Sequence, residues 1–120
     1  MVFKNNLPIG KLGEEIAKNF LEDKGYSFIE QNYRNKYAEI DLIMKYEDAL
    51  IFIEVKTRIG EQFGAPEDAL NRNKINRLVR NANMYAMRKK CDNYRIDGVC
   101  IVLDEEMKVQ RINHHKDINF

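Results

Sequence analysis

Glu39-Ile40-Asp41-Leu42-Ile43-Met44-Lys45-Tyr46-Glu47-Asp48-Ala49-Leu50-Ile51-Phe52-Ile53-Glu54-Val55-Lys56-Thr57 decides the fold of this 120-residue chain. Two runs rich in Ile, Leu, Val and Phe, free of Pro and Gly, flank the polar pair Glu47-Asp48. That pattern predicts a hairpin of strands 39–46 and 49–57. With Glu47 and Asp48 as the turn, Tyr46 faces Ala49 and Ile43 faces Phe52. The same register sets Asp41 opposite Glu54 and Glu39 opposite Lys56, all four on one face.

Facing side chains have Cβ atoms about 4.5–5.5 Å apart, where like charges destabilise one another. Asp41 against Glu54 therefore calls for a protonated carboxyl, a cation between the two, or another register. The same face carries Ile43, Leu50 and Phe52, which need cover. Charges that interrupt an apolar face on both strands break a local rule, and such breaks concentrate at functional sites. The plain alternative is a solvated hairpin face whose exposed ion pairs contribute little.

Paired carboxylates suit a hard cation, since Mg²⁺ is held by one or two carboxylates together with substrate phosphate. Hydrolysis of a phosphodiester uses such an ion to activate water and neutralise developing charge. A lysine close by can donate to the nucleophile or the forming oxyanion. Asp41 and Glu54 are thus candidate metal ligands, with Lys56 placed to orient or activate the water.

On either side of the hairpin the chain reads as alternating helices and strands. Leu12, Ile16, Ala17, Phe20 and Leu21 recur at helical spacing across 11–24, and Gly25 is a C-terminal stop. Residues 27–33 read as a strand, 34–37 as a polar loop and 60–66 as a second loop. Pro66 opens a short helix to Leu70. A longer helix, 74–88, lines up Ile75, Leu78, Val79, Ala82 and Ala86; 94–103 is a buried strand and 108–113 an edge strand. No repeat, linker or low-complexity stretch divides residues 1–120. The order implies one α/β domain, a central mixed sheet flanked by helices.

A net charge of +1 does not by itself announce a nucleic-acid binder, but the distribution is informative. From Arg72 to Lys90 come seven basic residues and no acidic one, a basic stripe beside an acidic centre. Cys91 and Cys100 are too few for a structural zinc site and read as free, covered thiols of a reducing compartment. No apolar run approaches the roughly 18 residues of a membrane span. The first ten residues lack the marks of a signal or transit segment. The expectation is a cytoplasmic protein.

The ordered motifs resemble a known family. They are Gly10-x-x-Gly13-Glu14-x-x-Ala17, Gly25-Tyr26, Asn32-Tyr33-Arg34, Glu39-Ile40-Asp41-Leu42-Ile43, Phe52-Ile53-Glu54-Val55-Lys56-Thr57-Arg58, Phe63-Gly64-Ala65-Pro66, Lys74 and Arg95-Ile96-Asp97. Asp41 followed by Glu54-Val55-Lys56 resembles the D…(D/E)-x-K core of restriction-endonuclease-like nucleases. The whole set is similar to the YraN-like family of small predicted endonucleases, related to archaeal Holliday junction resolvases. The resemblance implies a restriction-endonuclease-like core and an Mg²⁺- or Mn²⁺-dependent endonuclease that hydrolyses DNA, with branched or structured DNA in repair or recombination as one substrate class. It also implies that Glu14, the acid of the first helix, joins Asp41, Glu54 and Lys56. Helical geometry agrees, because Glu14 edges the apolar face while Glu15 falls among Lys11, Lys18 and Glu22. Ala38 stands where the family usually has glycine. A homodimer would suit symmetric cutting of two strands, although the sequence presents no obvious apolar dimer patch.

The remaining polar residues carry two readings each. Arg34 and Arg58 either grip phosphate beside the site or form surface ion pairs. Lys74, Arg77 and Arg80 either track the DNA backbone or form a solvated helix face. Glu39 supports Lys56 or makes an ordinary cross-strand ion pair. Met84 and Tyr85 read as packing, Asp97 as a structural partner of Arg95 or of a helix, and His114-His115 as a mobile tail. Competing with the nuclease are a non-catalytic nucleic-acid-binding module and a protein-interaction subunit whose basic stripe docks an acidic partner.

Overall fold

Among the described residues, five strands form one sheet in the order β1-β2-β3-β4-β5, so each of them lies beside its sequence neighbour. The computed structural model describes residues 8–118. Its elements are α1 (Ile9–Asp23), β1 (Ser27–Arg34), β2 (Glu39–Tyr46), β3 (Ala49–Ile59), a 3-10 turn (Pro66–Ala69), α2 (Arg72–Arg88), β4 (Tyr94–Leu103) and β5 (Val109–His115). Neighbours are antiparallel except β3 and β4, which run parallel. A parallel pair needs a crossover of a dozen residues or so, and α2 supplies it. The sheet is therefore mixed and flanked by two helices, a layout compatible with a restriction-endonuclease-like core.

The two helices cover opposite faces. On one, Leu12, Ala17 and Leu21 of α1 pack on Leu42, Met44, Ile51, Ile53, Val99 and Ile101. On the other, Leu78, Ala82, Tyr85 and Ala86 of α2 pack on Ile43, Leu50, Phe52 and Ile96. Cover on both faces explains why β3 and β4 read as nearly continuous apolar runs and not as alternating ones. All of Ala49–Val55 and Ile96–Leu103 is buried, whereas the outer strands β1 and β5 are largely exposed or half-buried.

The hairpin and β4 have the predicted bounds at 39–46 and 94–103, and β3 continues two residues past Thr57. The α1 helix starts at Ile9 and stops before Gly25, whose φ of +95 suits glycine. The α2 helix starts at Arg72, two residues before the predicted Lys74, because the Asn71 side chain caps it by accepting the Lys74 N–H at 2.9 Å.

The expected C-terminal tail is corrected. His114 and His115 belong to β5, and the His114 side chain is 3% exposed. Its Nε2 lies 2.7 Å from the fully buried Asp97, which also accepts from Arg95 at 2.9 Å and from the Asp117 N–H at 3.0 Å. A buried carboxylate needs several donors; β5 brings one and the residues just after it another. Met84 also departs from its packing assignment. It is exposed, whereas Tyr85 is buried edge-on against Tyr33 and Phe52.

Candidate active site

The β2–β3 ladder holds the anticipated register through five pairs, Tyr46–Ala49 to Leu42–Ile53, and then stops. Asp41 and Glu54 would have formed the next pair. Instead the Asp41 carboxylate accepts the Val55 N–H through Oδ2 at 2.8 Å, taking a backbone donor with a side chain. Side-chain alternation breaks at the same place. Leu42 packs on the α1 side, while Ile40 joins Ile43 on the α2 side. The second expected pair is also corrected: Glu39 pairs across the sheet with Arg34, 2.6 Å away, and not with Lys56.

Where the strands part, charged groups meet. Glu54 is only 4% exposed. Its Oε1 forms ion pairs with two ammonium groups, Lys56 Nζ at 3.1 Å and Lys74 Nζ at 2.9 Å. Asp41, by contrast, has no cation within ion-pair distance among the described residues. Burial and the nearby Glu54 charge push the Asp41 carboxyl up to about 7. The Val55 N–H works in the other direction, and Glu14 adds a smaller push upward.

Glu14 enters from α1 because the helix runs unusually close to β3. A Cβ on Gly13 would lie 1.8 Å from Thr57 Oγ1, so only glycine permits this approach. The Glu14 side chain is 13% exposed, accepts from Asn32 Nδ2 at 3.0 Å and lies 3.6 Å from Lys11 Nζ. Asn32 also donates to Glu39 at 3.1 Å, joining the two acids from a left-handed backbone with φ of +53. Asn accepts that conformation more readily than most residues.

A cavity of about 270 Å³ opens beside these groups, with Ala38, Asp41, Glu54, Lys74, Arg77 and Leu78 in its wall. Its rim is fixed by Asn81, buried on α2, which donates to the Ala38 carbonyl at 3.1 Å and accepts from Asn35. The Asn35 Oδ1 in turn accepts the Tyr37 and Ala38 N–H groups. Asn32 stands in the Asn32-Tyr33-Arg34 motif without an assigned role, and Asn35 and Asn81 carry no functional signal along the chain. The clue available was a polar residue within an apolar pattern, Asn32 on β1 and Asn81 on the buried stripe of α2.

The structure thus brings Asp41, Glu54, Lys56, Glu14 and Lys74 together, with Arg77 exposed on the cavity wall. Arg80 is exposed farther along α2, outside the cavity wall. Arg34 is engaged by Glu39. Arg58 lines a separate depression with Phe63 and has a buried Nε without a partner among the described residues.

A second cluster, Glu67, Cys100 and His115, has ligand-type atoms within 4.8 Å of one another. The Arg111 guanidinium already takes both Glu67 oxygens, at 2.9 and 3.0 Å. Burial, and then Glu67, push the Cys100 thiol up to about 12, so it stays protonated. This cluster braces the 3-10 turn against β4 and β5.

Fold and site together define a class: a mixed α/β domain with two flanking helices and a carboxylate–lysine cluster at the fork between two central strands. The chain belongs to Uncharacterised protein family UPF0102, the YraN-like family, which residues 13–101 match. A UPF0102 protein of Clostridium kluyveri is 42% identical over 114 residues, covering 93% of each chain. One from Alkaliphilus metalliredigens is 43% identical over 108 residues, 88% of this chain and 95% of its own. Another, from Dictyoglomus thermophilum, is 40% identical over 107 residues, covering 88% and 91%. No helix of the described residues is long and apolar enough to cross a membrane.

Proposed function

We propose that this protein is a divalent-metal-dependent endonuclease that hydrolyses DNA phosphodiester bonds. The observation that carries this reading is Asp41, a half-buried carboxylate beside Glu54 that lacks an ion-pair partner among the described residues. Folding that leaves two acids adjacent and one uncompensated carries a cost, which a bound cation would offset.

The donor set fits Mg²⁺ or Mn²⁺. Asp41 and Glu54 are hard oxygen ligands, Glu14 is near enough for its charge to act on Asp41, and no soft ligand takes part. The ion would activate water and neutralise charge on the phosphate. Asp41 and Glu54, with Glu14 alongside, would hold it. Lys56, tied to Glu54 on the same strand, would orient the water or donate to the developing oxyanion. Arg77 on the cavity wall, with Arg80 farther along the exposed face of α2 and Arg34 and Arg58 outside the cavity, would contact phosphates and position the strand without reading bases.

The test is cleavage of labelled single-stranded, duplex, flap and four-way DNA with Mg²⁺ or Mn²⁺, with Asp41→Ala alongside. Cutting that needs the metal and disappears in the variant supports the nuclease. A second reading, a non-catalytic DNA-binding module, draws on the two lysines that already neutralise Glu54. It expects no cutting, and salt-sensitive binding that is equal in both proteins and independent of metal.

A further inference from the structure

Lys74 occupies an unfavourable place for a cation. It lies in the first turn of α2, just after the Asn71 cap, and that turn contains no acidic residue. The unpaired N–H groups of a helix start carry partial positive charge, so an ammonium there opposes the helix dipole. What holds it is Glu54 Oε1, 2.9 Å away, an oxygen that Lys56 also contacts. One carboxylate needs one countercharge, and Glu54 has two.

The second countercharge has a use. Glu54 carries one negative charge against two ammonium groups, so the lysines already over-neutralise it without a metal ion. A divalent ion on Glu54 would add two more positive charges within a few ångströms of both lysines, and Coulomb repulsion at that range remains strong even at an intermediate effective dielectric constant. One lysine must yield. Lys56 is anchored two residues from Glu54 on the same strand and its side chain is 22% exposed. Lys74 comes from a different element, is 40% exposed, and borders the cavity beside Arg77.

We propose that Lys74 is a built-in placeholder for the divalent ion: it neutralises Glu54 in the metal-free protein and is displaced by the ion toward the cavity, where its ammonium meets a phosphate of the DNA strand. The proposal rests on the nuclease reading and adds a regulation to it. Because phosphate competes with Glu54 for Lys74, DNA and metal each favour binding of the other, as reciprocal linkage requires. The metal site is thereby held weak until a strand is present.

The test is Mn²⁺ binding to the full chain without DNA, followed by the EPR signal of free Mn²⁺, for wild type, Lys74→Met, Lys74→Arg and Lys116→Met. Lys116 is exposed and controls for the loss of one charge. A thermal melt in chelator establishes that each variant is folded. Lys74→Met is expected to bind Mn²⁺ about tenfold tighter than wild type, a difference of about 1.4 kcal/mol. Lys74→Arg should stay near wild type, and Lys116→Met should change little. Tight binding by Lys74→Met where wild type binds too weakly to measure also supports the placeholder. Equal affinities in Lys74→Met and Lys116→Met overturn it and leave the nuclease reading standing. Absence of Mn²⁺ binding in every protein, Lys74→Met included, also overturns the placeholder, and the cleavage assay then decides the nuclease reading separately.

Discussion

Gly13 and Thr57 touch where a side chain would not fit: a Cβ on Gly13 would stand 1.8 Å from Thr57 Oγ1 and 2.9 Å from Thr57 Cβ. This contact sets the distance of α1 from β3 and lets the next residue, Glu14, act on Asp41. Gly13→Ala should therefore force the helix outward and cost about 1–3 kcal/mol, as overpacking does. Urea unfolding checks it. Adding Thr57→Ala, which removes the closest atom, should recover part of the loss, and a double variant no better than Gly13→Ala alone would refute the contact argument.

Asp41→Asn should stabilise the metal-free protein while abolishing cleavage. The folded pKa is about 7 against an ordinary value of 3.8, raised by burial and then by Glu54. A raised acid means that the folded state holds the proton longer, so ionisation costs nothing below the ordinary value, increasingly more through the window, and its full amount above about 7. Asparagine removes that cost and can keep the Val55 hydrogen bond. The gain should be small at pH 4 and on the order of 1–3 kcal/mol at pH 8 in chelator. Melting curves at the two pH values decide it, and an equal gain at both would contradict the titration argument.

His114→Ala should destabilise the fold by about 1–3 kcal/mol, the range for leaving a buried polar group short of a hydrogen-bond partner. Asp97 is fully buried, and His114 Nε2 is 2.7 Å from it. Asp97→Asn in the same background should cost more still, because Arg95 then loses its carboxylate partner. Denaturant titration of both proteins measures this, and a loss below about 1 kcal/mol would mean that β5 is held by its ladder alone.

Glu67 should dominate part of the acid limb of stability. Its hydrogen bond from Arg111 depresses the carboxyl to about 2 from 4.5, against burial and with help from His115. A depressed acid contributes stability that is complete above its ordinary value of 4.5 and lost as pH falls toward about 2. Glu67→Gln should thus melt a few degrees below wild type at pH 6, with the difference closing by pH 2. A constant difference across that range would place the effect in packing and not in charge.

Local patterns were legible where one strand or helix face answers for itself. The hairpin bounds followed from apolar runs around Glu47-Asp48, and its register from a turn of two residues. Glu14 was legible as the inward acid of its helix, with the resemblance supplying its role, and Arg95–Asp97 as an ion pair of neighbours on one strand face. His114 was not legible, because its partner lies on a strand that only folding brings beside it. The Asn35–Asn81 contact was equally hidden, since those residues are 46 positions apart.

The amino-acid sequence by itself determined the elements, the hairpin register over its apolar part and the presence of Asp41, Glu54 and Lys56 on neighbouring strands. Hydrophobic period, turn chemistry and strand alternation act over a few residues, and each can be read along the chain. Tertiary structure alone decided how those charges are compensated. It ended the ladder before Asp41, gave its carboxylate the Val55 N–H, brought Lys74 from α2 onto Glu54 and left Asp41 without a cation among the described residues. Electrostatic energy depends on distance and burial between groups far apart in the chain, and those exist only once α1 and α2 have closed on the two faces of the sheet.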